Sequence, residues 1–208
     1  MTDQSETGAG QGAETVAERT LEEVLREDPV MAKLVEKHDP YSETDWDEFE
    51  RLVISINNQQ LSTASAAAVR ERFYDVLDHD VTPETVLAAD EDELHDAGLS
   101  RRKIDYIQNA ARAFQEHDLT REGLADYTDE EVVERLTEIK GIGEWTARMF
   151  LLFPLGREDV FPIGDLAVRR AIENLYGAES REEMHRIAEN WRPYRSYATR
   201  LLWAEYES

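Results

Sequence analysis

The 208-residue chain is 41% apolar, enough for a substantial core, and carries a net charge of −23. Disordered chains join high charge to low hydrophobicity, and only the charge half of that signature is met here. The lack of cysteine excludes disulfides, thiolate nucleophiles, iron–sulfur clusters and Cys-based zinc sites.

The N-terminus, "MTDQSETGAGQGAET", has neither the basic start nor the apolar centre of a secretion signal, and no apolar run reaches bilayer length. A cytoplasmic location with no membrane partner is expected. Residues 1–13 read as a disordered acidic tail ahead of one helical domain over 14–208. From Thr15 the apolar spacing turns helical, with Val16, Leu21, Val24 and Leu25; Pro29 interrupts, and "MAKLVEKH" resumes. "DPYSETDW" is a turn and a helix start, after which Trp46, Phe49, Leu52, Val53 and Ile56 keep helical spacing. "LSTASAAAVRERFYDVL" is rich in helix formers. Thr82-Pro83 opens a short helix. Gly98 ends the next, and Ser100 restarts the chain with Ile104, Ile107, Ala111 and Phe114 on one face. Thr128 is placed to cap a helix carrying Val132, Val133 and Leu136. Val168, Ala171, Ile172 and Leu175 mark another, stopped by Gly177, and a final helix is expected from about Pro193 to Glu205. No stretch alternates as a strand does, so an all-α fold of roughly ten helices is predicted.

The charge is uneven. Residues 75–98 hold nine acids and no Lys or Arg, and 122–134 hold six acids and no bases. Residues 101–112 and 186–200 each hold four bases against one acid. Such acidity is the usual surface of proteins from salt-loving organisms, where high salt screens self-repulsion.

Residues 138–150 read "EIKGIGEWTARMF". Two helices joined by Gly-Ile-Gly form a tight hairpin, because glycine tolerates positive φ and close backbone approach. The second helix would start at Gly143 with its N–H groups and positive dipole end facing outward, an anion site. On a duplex it would grip phosphates without reading sequence. Ile142 would plug the turn into the core. An ordinary helix–helix turn explains Gly-x-Gly alone equally well.

"IKGIGEWTA" resembles the helix-hairpin-helix of base-excision DNA glycosylases, the HhH-GPD family. "DVFPIGDLAVRRAI" is similar to the Gly/Pro loop and aspartate that complete its signature. "NNQQLSTASAA", "GLSRRKIDYI" and "WRPYRSYATRLLW" look like its alkylation-repair branch, the 3-methyladenine DNA glycosylase II type. These motifs span about 45–205 in family order. The resemblance implies a two-lobed helical HhH-GPD fold with a cleft between its lobes, acting as a monomer on double-stranded DNA that contains damaged bases.

It implies Asp165 as the catalytic carboxylate; the residues by themselves make it an N-cap, and the two roles are compatible. Trp145 occupies the position of the lyase-type lysine, which implies hydrolysis by water without a Schiff base. Trp145, Met149 and Trp203 would line the base pocket, although Met149 replaces a family tyrosine and either Trp serves equally well as core. Gln59, Gln60, Lys140, Gly141, Ile142, Gly143 and Arg101 are the expected DNA contacts; buried amides tying helix ends are the alternative for Gln59. Arg102 and Lys103 share the Arg101 run, and Arg192 and Arg195 are further phosphate candidates. The carbonyls of Thr137, Ile139 and Ile142 match a structural Na+ or K+ site, and no other cofactor is expected. Two alternatives stand beside the alkylpurine glycosylase: a glycosylase of the same fold for another damaged base, and a non-catalytic DNA-binding module.

Overall fold

The computed structural model describes residues 19–41, 47–59 and 63–208. The expected tail, Trp46 and Gln60 lie outside them. The described residues form twelve α-helices and one 3-10 turn, without a strand. The count exceeds the expected ten in part because Arg181–Ala188, which the apolar pattern did not mark, is also helical.

Most helices begin at a side chain able to satisfy the free N–H groups of a first turn. Thr20 and Glu23 form a capping box on α1 (Leu21–Arg26). Asp28 caps α2 (Pro29–Lys37), so Pro29 opens this helix rather than only breaking the last. Asp47 caps α3 (Glu48–Asn58), which is followed by α4 (Thr63–Val76). Thr82 caps α5 (Pro83–Ala88), and Asp90 caps α6 (Glu91–Asp96). Ser100 starts α7 (Arg101–Glu116), and Thr128 with Glu131 starts α8 (Asp129–Thr137). Then come α9 (Glu144–Leu152), α10 (Leu166–Tyr176) and α11 (Arg181–Ala188). The 3-10 turn Glu189–Trp191 leads to α12 (Arg195–Tyr206), which starts later than the sequence pattern suggested. Gly177 ends α10 with φ +69°, the left-handed cap that glycine accepts without strain.

Two apolar clusters form the interior. The first joins α3 through α9, with Leu52, Val53, Ile56, Ile107, Leu136 and Phe150 at its centre. The second joins α1 and α2 to α10 through α12, around Leu25, Met31, Ile172, Trp191, Leu201 and Leu202. The chain thus leaves the second cluster after α2, builds the first, and returns at α10. Asp28 fixes that return. Its Oδ1 accepts the Val30 N–H at 2.8 Å, and its Oδ2 accepts Tyr176 Oη at 2.9 Å and Trp191 Nε1 at 3.1 Å. A buried carboxylate with this many donors is satisfied, and removing it would strand two polar groups of the core. Trp203 packs against both clusters, so α12 spans their junction.

Candidate active site

The loop before α10 is tied down by its own backbone. The Asp165 N–H donates to the Pro162 carbonyl at 2.8 Å, and Arg169 Nη1 donates to the carbonyls of Ile163 and Gly164 at 3.1 and 2.8 Å. Asp165 is the N-cap of α10: its Oδ1 accepts the Val168 N–H at 3.0 Å. Its carboxylate accepts two more donors, Trp203 Nε1 on Oδ1 at 3.0 Å and Trp145 Nε1 on Oδ2 at 2.8 Å. Helices α9, α10 and α12 therefore fix one carboxylate through three N–H groups. The cap and site readings of Asp165 fall on the same atoms. Neither tryptophan is fully buried: Trp145 is 37% exposed, and Trp203 is half-buried against both clusters.

A cavity of ≈480 Å³ opens beside Asp165, within the size range of small-ligand sites. Trp145 and Met149 of α9 line it with Trp203 of α12, so the three residues named for a base pocket share one cavity. Phe153, Arg51 and Arg200 line it too, and these the sequence reading missed. Phe153 stacks on Trp203, with ring centroids 5.7 Å apart and planes 10° from parallel. The Arg51 guanidinium lies 4.3 Å from the Phe153 centroid, and that of Arg200 lies 5.8 Å from it. Phe153 extends the i, i+4 stripe of Trp145 and Met149, and Arg51 sits within an apolar helix; those were the available signals. None of the described residues lining the cavity is a lysine. A larger groove of ≈730 Å³ between α7 and α8 contains none of these aromatic residues.

The hairpin joins α8 to α9, and its two glycines differ. Gly141 has φ +109°, and a Cβ there would lie 2.1 Å from Tyr106 Cγ. Glycine is required by the fold at that point. Gly143 has φ −96°, caps α9 without a side-chain hydrogen bond, and would place a Cβ in open space. Nothing in the protein demands a glycine there, and the first N–H groups of α9 have no side-chain cap. Ile142, 4% exposed, plugs the hairpin into the first cluster. The Lys140 side chain is exposed, while its carbonyl accepts Asn109 Nδ2 at 3.2 Å. The Ile139 carbonyl accepts the Ile142 N–H at 3.0 Å.

The other expected contacts have partners within the protein. Gln59 makes the tie that stood as its alternative: Nε2 donates to the Gly141 carbonyl at 3.3 Å and Thr146 Oγ1 at 3.1 Å, joining α3 to the hairpin. Arg192 and Arg195 are both paired with Asp159 and Glu189, so a phosphate would compete with two carboxylates for them. Arg101 is exposed, 3.5 Å from Asp92, whereas its neighbour Lys103 reaches in to the Asn57 carbonyl at 2.6 Å.

A carboxylate held at the mouth of an aromatic cavity, beside an uncapped helix start in a glycine hairpin, defines a class. The chain belongs to the HhH-GPD superfamily of base excision DNA repair proteins, which it matches over residues 53–193.

Among its relatives is DNA-3-methyladenine glycosylase 1 of Schizosaccharomyces pombe, 34% identical over 81% of this chain and 73% of that protein. DNA-3-methyladenine glycosylase 2 of Escherichia coli is 29% identical over 76% of this chain and 57% of that protein. A matching Bacillus subtilis protein is likewise spanned over only 60% of its length. The crystal structure of an S. pombe 3-methyladenine DNA glycosylase in complex with abasic DNA superposes with a TM-score of 0.80. It shares 30% identity and covers 90% of this chain and 97% of that one.

Proposed function

We propose that the protein is a monofunctional DNA glycosylase of base-excision repair that releases alkylated purines of the 3-methyladenine and 7-methylguanine type from duplex DNA as a monomer. The observation that carries this reading is Asp165, oriented by two indole N–H groups at the edge of the aromatic cavity. The duplex would rest its phosphates on the Gly143 end of α9 and Lys140, and the extruded base would enter the cavity. The bond from C1′ to the base nitrogen breaks, with its electron pair leaving on the base. Positive charge then builds on the deoxyribose, where the Asp165 carboxylate stabilises it. Water adds at C1′ and gives up a proton to the surrounding solvent, leaving an abasic site.

The reading without lyase activity is supported by the cavity lining, where none of the described residues is a lysine; Trp145 stands where the resemblance puts the lyase-type lysine, and Lys140 is exposed on the hairpin. Carbonyl oxygens of Thr137, Ile139 and Ile142 are a donor set suited to Na+ or K+, which would brace the turn. A non-catalytic module is disfavoured because a carboxylate facing bound phosphates only weakens binding.

The test is single-turnover release of alkylpurines by wild type and Asp165→Asn, with binding to an abasic duplex measured alongside. Asparagine keeps the N-cap, so α10 should survive. Only one of its two side-chain atoms can accept, so one indole N–H loses its partner. The expected result is a rate loss of roughly 100- to 1,000-fold with binding retained. Near-normal release by the variant would reduce Asp165 to a helix cap.

A further inference from the structure

Two successive carbonyls of the hairpin are each taken by a side-chain amide, and the two amides come from different helices. Asn109 Nδ2, on α7, donates to the Lys140 carbonyl at 3.2 Å. Gln59 Nε2, at the end of α3, donates to the Gly141 carbonyl at 3.3 Å. Both amides are themselves held. Asn109 Oδ1 accepts Arg112 Nη1 at 3.2 Å, so nitrogen is the atom turned to the hairpin. Gln59 Nε2 also donates to Thr146 Oγ1, in the first turn of α9. Tyr106 lies one turn before Asn109 on the same face of α7 and fills the space beside Gly141.

These bonds decide where the N–H groups of the turn point. In a trans peptide the N–H is directed opposite to the C=O. With the Lys140 carbonyl turned to α7, the Gly141 N–H faces the other way. The Gly141 carbonyl goes to Gln59, and the N–H of the same peptide, that of Ile142, closes the turn on the Ile139 carbonyl at 3.0 Å. The N–H groups of Gly141 and Gly143 have no backbone acceptor among the described residues. Glycine permits the turn, with φ +109° at Gly141, and the same freedom leaves its peptide planes poorly fixed. Ile142 anchors the turn through its side chain, which does not set the peptide before Gly141. Asn109 does set it, through a bond open to solvent, where a hydrogen bond adds little to the fold.

We propose that Asn109 and Gln59 are positioning residues for duplex binding: by drawing two carbonyls of the hairpin inward, they set its N–H groups toward a backbone phosphate before DNA arrives. This rests on the hairpin's place in the glycosylase reading above. A peptide that rotated would put its carbonyl oxygen, the negative end of the dipole, against the phosphate in place of an N–H. A grip set in advance also loses less freedom when the duplex docks. Asn109 acts here through the hairpin, without touching the reacting atoms.

The test uses Asn109→Leu, which keeps the side chain's shape and removes its donor, with Asn109→Gln as the variant that keeps an amide. Binding to undamaged, abasic and methylated duplexes is measured, together with thermal melting and single-turnover release of alkylpurines at saturating enzyme. Asn109→Leu should weaken binding to all three duplexes alike, by roughly 3- to 10-fold. The rate at saturation should stay at the wild-type value, and Asn109→Gln should recover part of the affinity. Combined with Gly143→Ala, the loss should be smaller than the product of the two separate factors, since both act on one phosphate grip. Unchanged binding, a loss confined to one duplex, or a fall in the saturating rate overturns the proposal. So do losses that multiply, which would make Asn109 a DNA contact in its own right. Should Asn109→Leu not fold, Gln59→Met makes the same test at the Gly141 carbonyl. Wild type that binds duplex but releases no alkylpurine overturns the glycosylase reading and leaves this proposal to its binding data; wild type that binds no duplex overturns both.

Discussion

Trp203 has two separable jobs. Its ring stacks on Phe153, and its Nε1 holds Asp165 Oδ1. Trp203→Phe keeps the first and deletes the second. Hydrogen bonds to charged groups are worth about 1.5–3 kcal/mol. Where that bond orients the carboxylate for the transition state, single-turnover excision should fall roughly tenfold or more, with a loss of stability of about that same size, which leaves the protein folded. Unchanged excision would make the indole N–H incidental to catalysis. At this scale the sequence was readable wherever neighbouring residues in the chain set the role. Asp165 could be named as a cap, because Gly-Asp before an amphipathic run specifies one, and as the carboxylate of the site only through the family resemblance. Gln59 could not be resolved, because its partners, Gly141 and Thr146, are brought to it only by the fold. Arg51 and Arg200 were missed for the same reason: a guanidinium packed on Phe153 leaves no local pattern in the chain.

Among the elements, the hairpin offers the sharpest contrast. Gly141 and Gly143 look equivalent in "GIG", yet the fold needs only the first. Gly141→Ala meets both φ +109° and the Tyr106 ring, and should destabilise the protein by about 2 kcal/mol or more. Gly143→Ala meets nothing, and should leave stability within about 0.5 kcal/mol. Its cost should appear on DNA, as weaker binding to damaged and undamaged duplexes alike, because phosphate contacts carry no sequence. Melting curves and binding isotherms for the two variants separate these outcomes. Equal melting temperatures, or a Gly143→Ala loss confined to one lesion, would count against this division. Helix starts were the most legible elements: Thr82, Ser100 and Thr128 cap where the sequence put them. The helix Arg181–Ala188 was not legible, since few apolar residues mark its inner face.

At the scale of the whole molecule, the all-α class followed from the spacing of apolar residues. The split into two clusters did not, because it depends on α10 returning to α2 through Asp28, Tyr176 and Trp191. Net charge sets a further expectation. With −23 on one chain, self-repulsion opposes both folding and the approach of DNA. Raising KCl from about 0.1 M to about 2 M should raise the melting temperature, and should flatten or reverse the usual loss of DNA affinity with salt. Highest stability and tightest binding at low ionic strength would contradict that expectation. The central claim is chemical, however: a fixed carboxylate releases a damaged base, and water, not an amine, takes its place at C1′. The most direct measurement is to incubate wild type with a methylated duplex, identify the released bases by chromatography, and examine the strand under borohydride. The account predicts free alkylpurines, an unbroken strand carrying abasic sites, and no trapped protein–DNA adduct. The absence of any free base, or a covalent adduct with strand cleavage, would contradict it.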